Sequence, residues 1–403
     1  MSRLRPFVLP AALAALLCAA PLAPPAAAQP RPPRAAPPTP LGSIFDDAIV
    51  RYQATQGLDA VYDLRFADAE GFFRQVEAGH PAHPAGPFLR ALSTWWQILL
   101  DLTDTSNDAA FTRQMDEVVR RSDALLRRNP DDFDARFFRG AALGFRGRLR
   151  SNRGAWMPAA QDGRAAMDDV LAVSRRDPDN PDFGFGRGLY DYYAVVIPEN
   201  YAVARPVMGL FPQGNRVRGL RLLSRAAADG TFMKSEAAYF LAQVNYLYEG
   251  DYDEAMRYTR QLRRAHPTNP FFTALEGRIE GRWGRWDEMR TAFQSVLQGY
   301  RARRVGHTPG MAEQALYYVA RADMAQGRYA DALRSLTQLE SLAARTREDT
   351  YFEVLGRLRQ AMAYDALGQR EQAVARYRQV LTMRNLGDAH DRAREFLETP
   401  YPG

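Results

Sequence analysis

Chemistry in a folded chain needs a nucleophile with a base, or a set of metal ligands, and the first candidates here are the five histidines. His80 and His83 in the run His-Pro-Ala-His have a spacing at which two imidazoles could share an ion, but a zinc site takes three or four protein ligands. No third donor follows on a regular element. His80, His83 and His266 stand beside or near Pro81 and Pro267, as polar turn residues do, while His307 and His390 are isolated. Cys18 is the only cysteine. The nucleophile-elbow, zincin, P-loop and dinucleotide-binding patterns do not occur. Asp131-Asp132 and Asp168-Asp169 read as helix starts or solvated faces. The expectation is a chain with no catalytic residues, no metal and no cofactor.

What must position any site is a helical array. Residues 236–269 carry two amphipathic segments separated by Gly250-Asp251. In the first, Tyr239, Ala242 and Tyr246 recur three and four apart, the spacing of one helix face. Tyr252, Ala255, Tyr258, Thr259 and Leu262 make the matching face of the second. Asp253 and Glu254 sit in its first turn, where carboxylates favour the positive helix end, and Pro267 ends it. Small Ala242 and Ala255 let the two backbones approach. The pattern recurs upstream as Ala69, Phe72, Phe73 and Val76 before Pro81, as Phe88, Leu92, Trp95, Trp96 and Leu99, and as Ala166, Val170 and Val173 before Pro178. Downstream it recurs around Trp286 and Met289, Tyr329 and Ala332, and Ala361, Tyr364 and Ala373. A last helix, about residues 388–398, has Arg392, Arg394 and Glu395 on its polar side and suits a solvating cap.

This unit resembles the tetratricopeptide repeat in period and in its alternation of small and large residues. The resemblance implies an all-α fold, a right-handed α-solenoid of about eight helix-turn-helix pairs plus a C-terminal capping helix. Residues 44–230 are divergent repeats with insertions, and residues 231–403 are regular ones ending in the cap. One insertion is expected at 150–158, with Trp156, and a second at 197–214, apolar and broken by Pro198, Pro206 and Pro212. The second is expected to fold back onto the solenoid. Each pair is expected to pack mainly on its neighbours. In the family the first helices line a concave groove that binds extended peptides or partner helices. On that pattern the groove receives Phe240, Val244 and Tyr248, then Ala274, Arg278 and Arg282, then Tyr317 and Arg321, then Leu358 and Met362. Chaperone-tail binders of the family carry Lys and Asn where Phe240 and Val244 stand, so that clamp is not expected.

Residues 1–28 read as a signal peptide: Arg3 and Arg5 precede an apolar run, and Ala26-Ala27-Ala28 offers a cleavage site before Gln29. Leu17 stands where a lipoprotein carries a small residue, so Cys18 is not expected to be lipidated. Residues 29–43 form a Pro-rich linker. The net charge of +6 and the pI near 9.4 come from arginine, Lys234 being the only lysine, and reflect the usage of a GC-rich bacterial genome more than phosphate recognition. No nucleic-acid partner and no integral membrane segment after signal removal are expected. The reading is an exported, periplasmic or otherwise extracytoplasmic, non-catalytic scaffold that binds a protein or peptide partner in an envelope assembly. Two others stay open: a membrane-surface adaptor using residues 197–214, with peripheral membrane contact, and a helical accessory module of an envelope enzyme complex. On the first reading, amino-terminal sequencing of the mature protein should start at Gln29. An intact Met1 on cytoplasmic protein would contradict it.

Overall fold

The computed structural model describes residues 42–102, 104–201, 205, 212–345 and 349–403. The signal peptide and nearly all of the linker lie outside them. The described residues hold seventeen α-helices and no strand. They form eight antiparallel pairs and a cap. The first four pairs are α1 (Ala48–Tyr62) with α2 (Phe66–Gly79), α3 (Ala85–Leu100) with α4 (Asp108–Arg128), α5 (Phe133–Asn152) with α6 (Trp156–Arg176), and α7 (Pro181–Asn200) with α8 (Arg216–Asp229). The next four are α9 (Lys234–Val244) with α10 (Tyr252–Ala265), α11 (Pro270–Trp283) with α12 (Trp286–Arg301), α13 (Pro309–Ala325) with α14 (Tyr329–Ala343), and α15 (Tyr351–Ala366) with α16 (Arg370–Val380). Helix α17 (Ala389–Glu398) is the cap. The molecule is an α-solenoid.

Local chemistry sets these boundaries. Asp132, Asn180, Asn269, Thr308 and Thr350 each accept an amide hydrogen bond at a helix start, and Pro181, Pro270 and Pro309 follow as first helical residues. The reference pair is built as its spacing predicts: Tyr239, Ala242, Tyr246, Ala255, Tyr258, Thr259 and Leu262 are buried. Helix α9 ends in a π-turn, Asn245–Glu249, followed by Gly250 at φ 71°, a left-handed position that glycine takes without strain.

Two expected insertions change. Residues 150–158 are not one: α5 runs through Asn152, α6 opens at Trp156, and only a short turn at Gly154 intervenes. Helix α7 does not stop at Val196 but continues to Asn200 with Pro198 inside it. Carbonyls of the last turn find donors: Val196 O takes Asn200 Nδ2 at 2.8 Å, Ile197 O takes the Tyr201 amide at 2.8 Å, and Pro198 O takes Arg205 Nε at 3.0 Å. Residues 202–204 and 206–211 of the second insertion lie outside the described residues.

The larger difference is global. An open solenoid needs only neighbour contacts, yet here the first two pairs meet the fifth to seventh. Tyr62 O accepts from Asn269 Nδ2 at 2.8 Å, and His266 Nδ1 lies 2.9 Å from Asp63 Oδ1. The Trp96 ring packs 5.6 Å from both Phe271 and Phe272 and 6.2 Å from Tyr239. Gly306, at φ 78°, leaves no room for a Cβ because Leu64 occupies the place. First helices therefore face one another across the superhelix. In α9 every residue from Glu236 to Ala242 is buried, whereas α10 buries one stripe.

This seam also sets a pH dependence. Glu313 on α13 is 3% exposed and accepts from Thr350 Oγ1 at 2.6 Å. Burial pushes its carboxyl up to about 7, opposed by Thr350 and aided by Asp101 and Glu353. The folded protein thus holds this proton more tightly than the unfolded chain, so the contribution is full below the unfolded value of 4.5 and is lost as pH rises through about 7. Glu313→Gln keeps an acceptor for Thr350 and removes the titration. Relative to it, the unaltered protein should lose about 1–3 kcal/mol between pH 5 and 8 in denaturant unfolding. A difference that does not change with pH would refute this.

Candidate functional site

Two features of the inner face could hold a partner. The first is a cavity of about 240 Å³ between α5, α6 and α7. Its walls are apolar, with Phe137, Phe145, Val170 and Leu189, while Gly140 and Gly186 let α5 and α7 approach Val170 on α6. A Cβ on Gly144 would meet open space. On its floor Arg148 pairs with Glu236 at 3.3 Å, with side chains 11% and 5% exposed. The guanidinium lies 4.9 Å from the Trp95 ring centre, 4.7 Å from Phe240 and 5.8 Å from Tyr239. Burial pushes the Glu236 carboxyl up, against Arg148 and Tyr62. The floor is therefore charge-compensated, and the cavity suits an apolar group.

The second feature is a stripe of arginines on α11, α13, α15 and α17. Arg278 lies over Phe271 at 5.7 Å, Arg321 over Tyr318 at 5.4 Å, Arg359 over Tyr317 at 5.3 Å and Arg392 over Phe396 at 5.5 Å. Arg282 is exposed one turn beyond Arg278, and the other four are half-buried. None of the five is ion-paired among the described residues. Their neighbours differ: Arg357 pairs with Glu340 at 2.5 Å and Arg370 with Asp365 at 2.9 Å. At the centre Arg359 Nε donates to Tyr317 Oη at 3.1 Å. Burial alone would push the Tyr317 phenol up, yet Arg359, Arg321 and Arg392 hold it below its usual value. Burial, then the charge of Arg359, pushes the Arg392 guanidinium down despite Asp388 and Glu395. The stripe is a partly desolvated excess of positive charge.

The expected groove residues separate accordingly. Arg278, Arg282, Tyr317 and Arg321 belong to the stripe, and Phe240 borders the cavity. Tyr248 is half-buried beside Tyr192 and Tyr193. Val244, Ala274, Leu358 and Met362 are core residues, 0–2% exposed, and offer no surface. Arg148, Arg359 and Arg392 were not among the expected groove residues. Arg359 follows Leu358 by one position, and Arg392 is turned toward the groove, not the solvated side of the cap. His80 faces Asp47 and His83 faces Asp134, so the two imidazoles serve different partners.

The sequence pattern of the tetratricopeptide repeat matches residues 236–269 and 356–383. Those two segments are tetratricopeptide repeats by sequence. No curated protein matches it by sequence. Solved structures similar to it include yeast Tom70, at 11% identity over 86% of this chain and 87% of that one, TM-score 0.41. The human IFIT1 dimer with m7Gppp-AAAA is similar at 12% identity over 88% of each chain, TM-score 0.44. The tetratricopeptide domain of P58(IPK) shares 14% identity over 88% of this chain and 89% of its own, TM-score 0.24.

The Arg148–Glu236 pair makes a stability prediction. Arg148→Met leaves a buried carboxylate without its partner and should cost about 3–5 kcal/mol in denaturant unfolding. Adding Glu236→Gln should recover most of that loss. Simple addition of the two single losses would show that the pair is not coupled.

Proposed function

We propose that this chain is an exported protein-binding scaffold whose inner face holds an extended acidic segment of a partner. The observation that carries the reading is the row of unpaired, half-buried arginines Arg278, Arg321, Arg359 and Arg392, one on each successive first helix and the last on the cap. Packed helices lie roughly 10 Å apart, so the row spans about 30 Å. That is the reach of about nine extended residues with a carboxylate near every third one. Guanidinium groups bind carboxylates in a forked geometry, and partial burial strengthens each bond. The apolar cavity between α5 and α7 accepts an uncharged anchor of the same partner. Export and an envelope setting rest on residues 1–28 and on the lack of cysteine after Cys18. No described helix is long and apolar enough to cross a membrane.

A nucleic-acid backbone is the other extended polyanion. Single strands bind by stacking bases on free aromatic faces. Here Tyr317 is 6% exposed, with Tyr318 5.3 Å and Phe352 5.5 Å away and Arg359 over its face. The faces are taken.

Fluorescence anisotropy with a labelled nine-residue peptide bearing glutamate at every third position tests the reading, with a single-stranded oligonucleotide as the second arm. The peptide should bind, more weakly as salt rises, and the Arg359→Gln/Arg392→Gln variant should bind it at least ten-fold less tightly. Tighter binding of the oligonucleotide, or peptide binding indifferent to both substitutions, would overturn it.

A further inference from the structure

The seam between the first and fifth pairs assembles three groups that lie far apart in the chain. Ser235 Oγ is 3.2 Å from His266 Nε2, and His266 Nδ1 is 2.9 Å from Asp63 Oδ1. Asp63 follows α1, Ser235 is in the first turn of α9, and His266 follows α10. We propose that Ser235, His266 and Asp63 form a nucleophile, base and orienting carboxylate that hydrolyse small carboxylic esters. This goes beyond the expectation of a chain without catalytic residues and is independent of the arginine stripe.

Five features suit acyl transfer. A carboxylate at Nδ1 fixes the imidazole tautomer, with Nδ1–H donating to Asp63 and Nε2 left to accept from the Ser235 hydroxyl. The imidazole is held: His266 is 4% exposed, its ring 5.0 Å from Tyr62 and 6.1 Å from Phe272. Arg65 Nη2 lies 3.4 Å from Asp63 Oδ2 and stabilises the charge of the second carboxylate oxygen. All three groups line one cavity of about 530 Å³, shared with Thr55, Asp59 and Lys234, and Ser235 is half-buried in its wall. That volume takes a small molecule. Finally, α9 begins at Lys234 and its N-cap residue Met233 offers no side-chain acceptor, so the amides of Lys234, Ser235 and Glu236 are the ones a helix start leaves without intrahelical acceptors. Such amides stabilise a developing oxyanion.

The reaction balances with water as the only co-reactant. Ser235 Oγ attacks the ester carbonyl carbon as its proton passes to His266 Nε2. The tetrahedral oxyanion collapses, the C–O bond to the alcohol breaks, and the leaving alkoxide takes the proton from Nε2. Water then attacks the Ser235 acyl ester, giving its proton to Nε2. Collapse releases the acid, and the proton returns to Ser235 Oγ.

The test treats the full chain with a fluorophosphonate, which phosphonylates activated serines, and follows 4-nitrophenyl butyrate hydrolysis in parallel. Peptide mass spectrometry should find one adduct, on Ser235. Ser235→Ala removes one oxygen from a half-buried side chain and should abolish the adduct, slow hydrolysis at least 100-fold and leave acidic-peptide binding unchanged. Asp63→Asn, which favours the wrong tautomer, should slow both labelling and hydrolysis at least 100-fold. A merely structural hydrogen-bond chain gives no adduct. Absence of phosphonylation at Ser235, or equal hydrolysis by the Ser235→Ala variant, overturns the proposal, whatever the peptide assay shows.

Discussion

The contact on which this structure depends is the insertion of Trp96 against Phe271, Phe272 and Tyr239. A fully buried tryptophan carries a large apolar area, and edge-to-face packing adds to it. No single helix pair can bury that ring, because its partners come from two pairs well over a hundred residues further on. Once it is seated, Tyr62, Asp63 and Leu64 are brought to Asn269, His266 and Gly306. The interior of the first half then becomes a core, and the Arg148–Glu236 pair is sealed in it.

Charge follows the same division. In the closed half, buried ions are matched: Arg139 meets Asp169 at 2.6 Å and Arg218 meets Asp191 at 2.5 Å, with both carboxylates fully buried. Past the seam, on α11 to α17, the inner arginines lack such partners. A desolvated cation with no counter-ion is unfavourable on its own account and becomes favourable when an anion arrives. The matched ions hold the scaffold together, and the unmatched ones are available to bind.

Much of this was legible in the sequence because it is local. The period of Tyr239, Ala242 and Ala255 placed two helices correctly, and Pro81, Pro130, Pro178 and Pro267 marked the ends of four pairs. Trp156 was misread because Gly154 after a polar run, with Pro158 close behind, looks the same whether it opens a loop or a tight turn. Pro198 was misread because a proline removes one amide from the ladder without having to end the helix, and the helix runs only two residues beyond it. Val244, Leu358 and Met362 fall at groove positions by register, yet winding buries them, and winding is set by distant contacts. Arg392 looked solvated for the same reason. The meeting of Asp63 with Ser235 and His266 had no sequence signal, since Asp63 belongs to the first pair and the other two to the fifth, and only the seam joins them.

The closure also limits how such a chain can change in length. In an open solenoid a pair can be duplicated or lost, and the neighbours simply stack on whatever comes next. Between Trp96 and Phe271 that freedom is gone. One extra pair would rotate and shift α11 away from α3, and the ring would no longer meet itself. Beyond α13 no comparable contact joins the described residues to the first pairs, so pairs could be added before the cap, lengthening the arginine row without disturbing the closed part. The repeat number is fixed in one half of this molecule and free in the other.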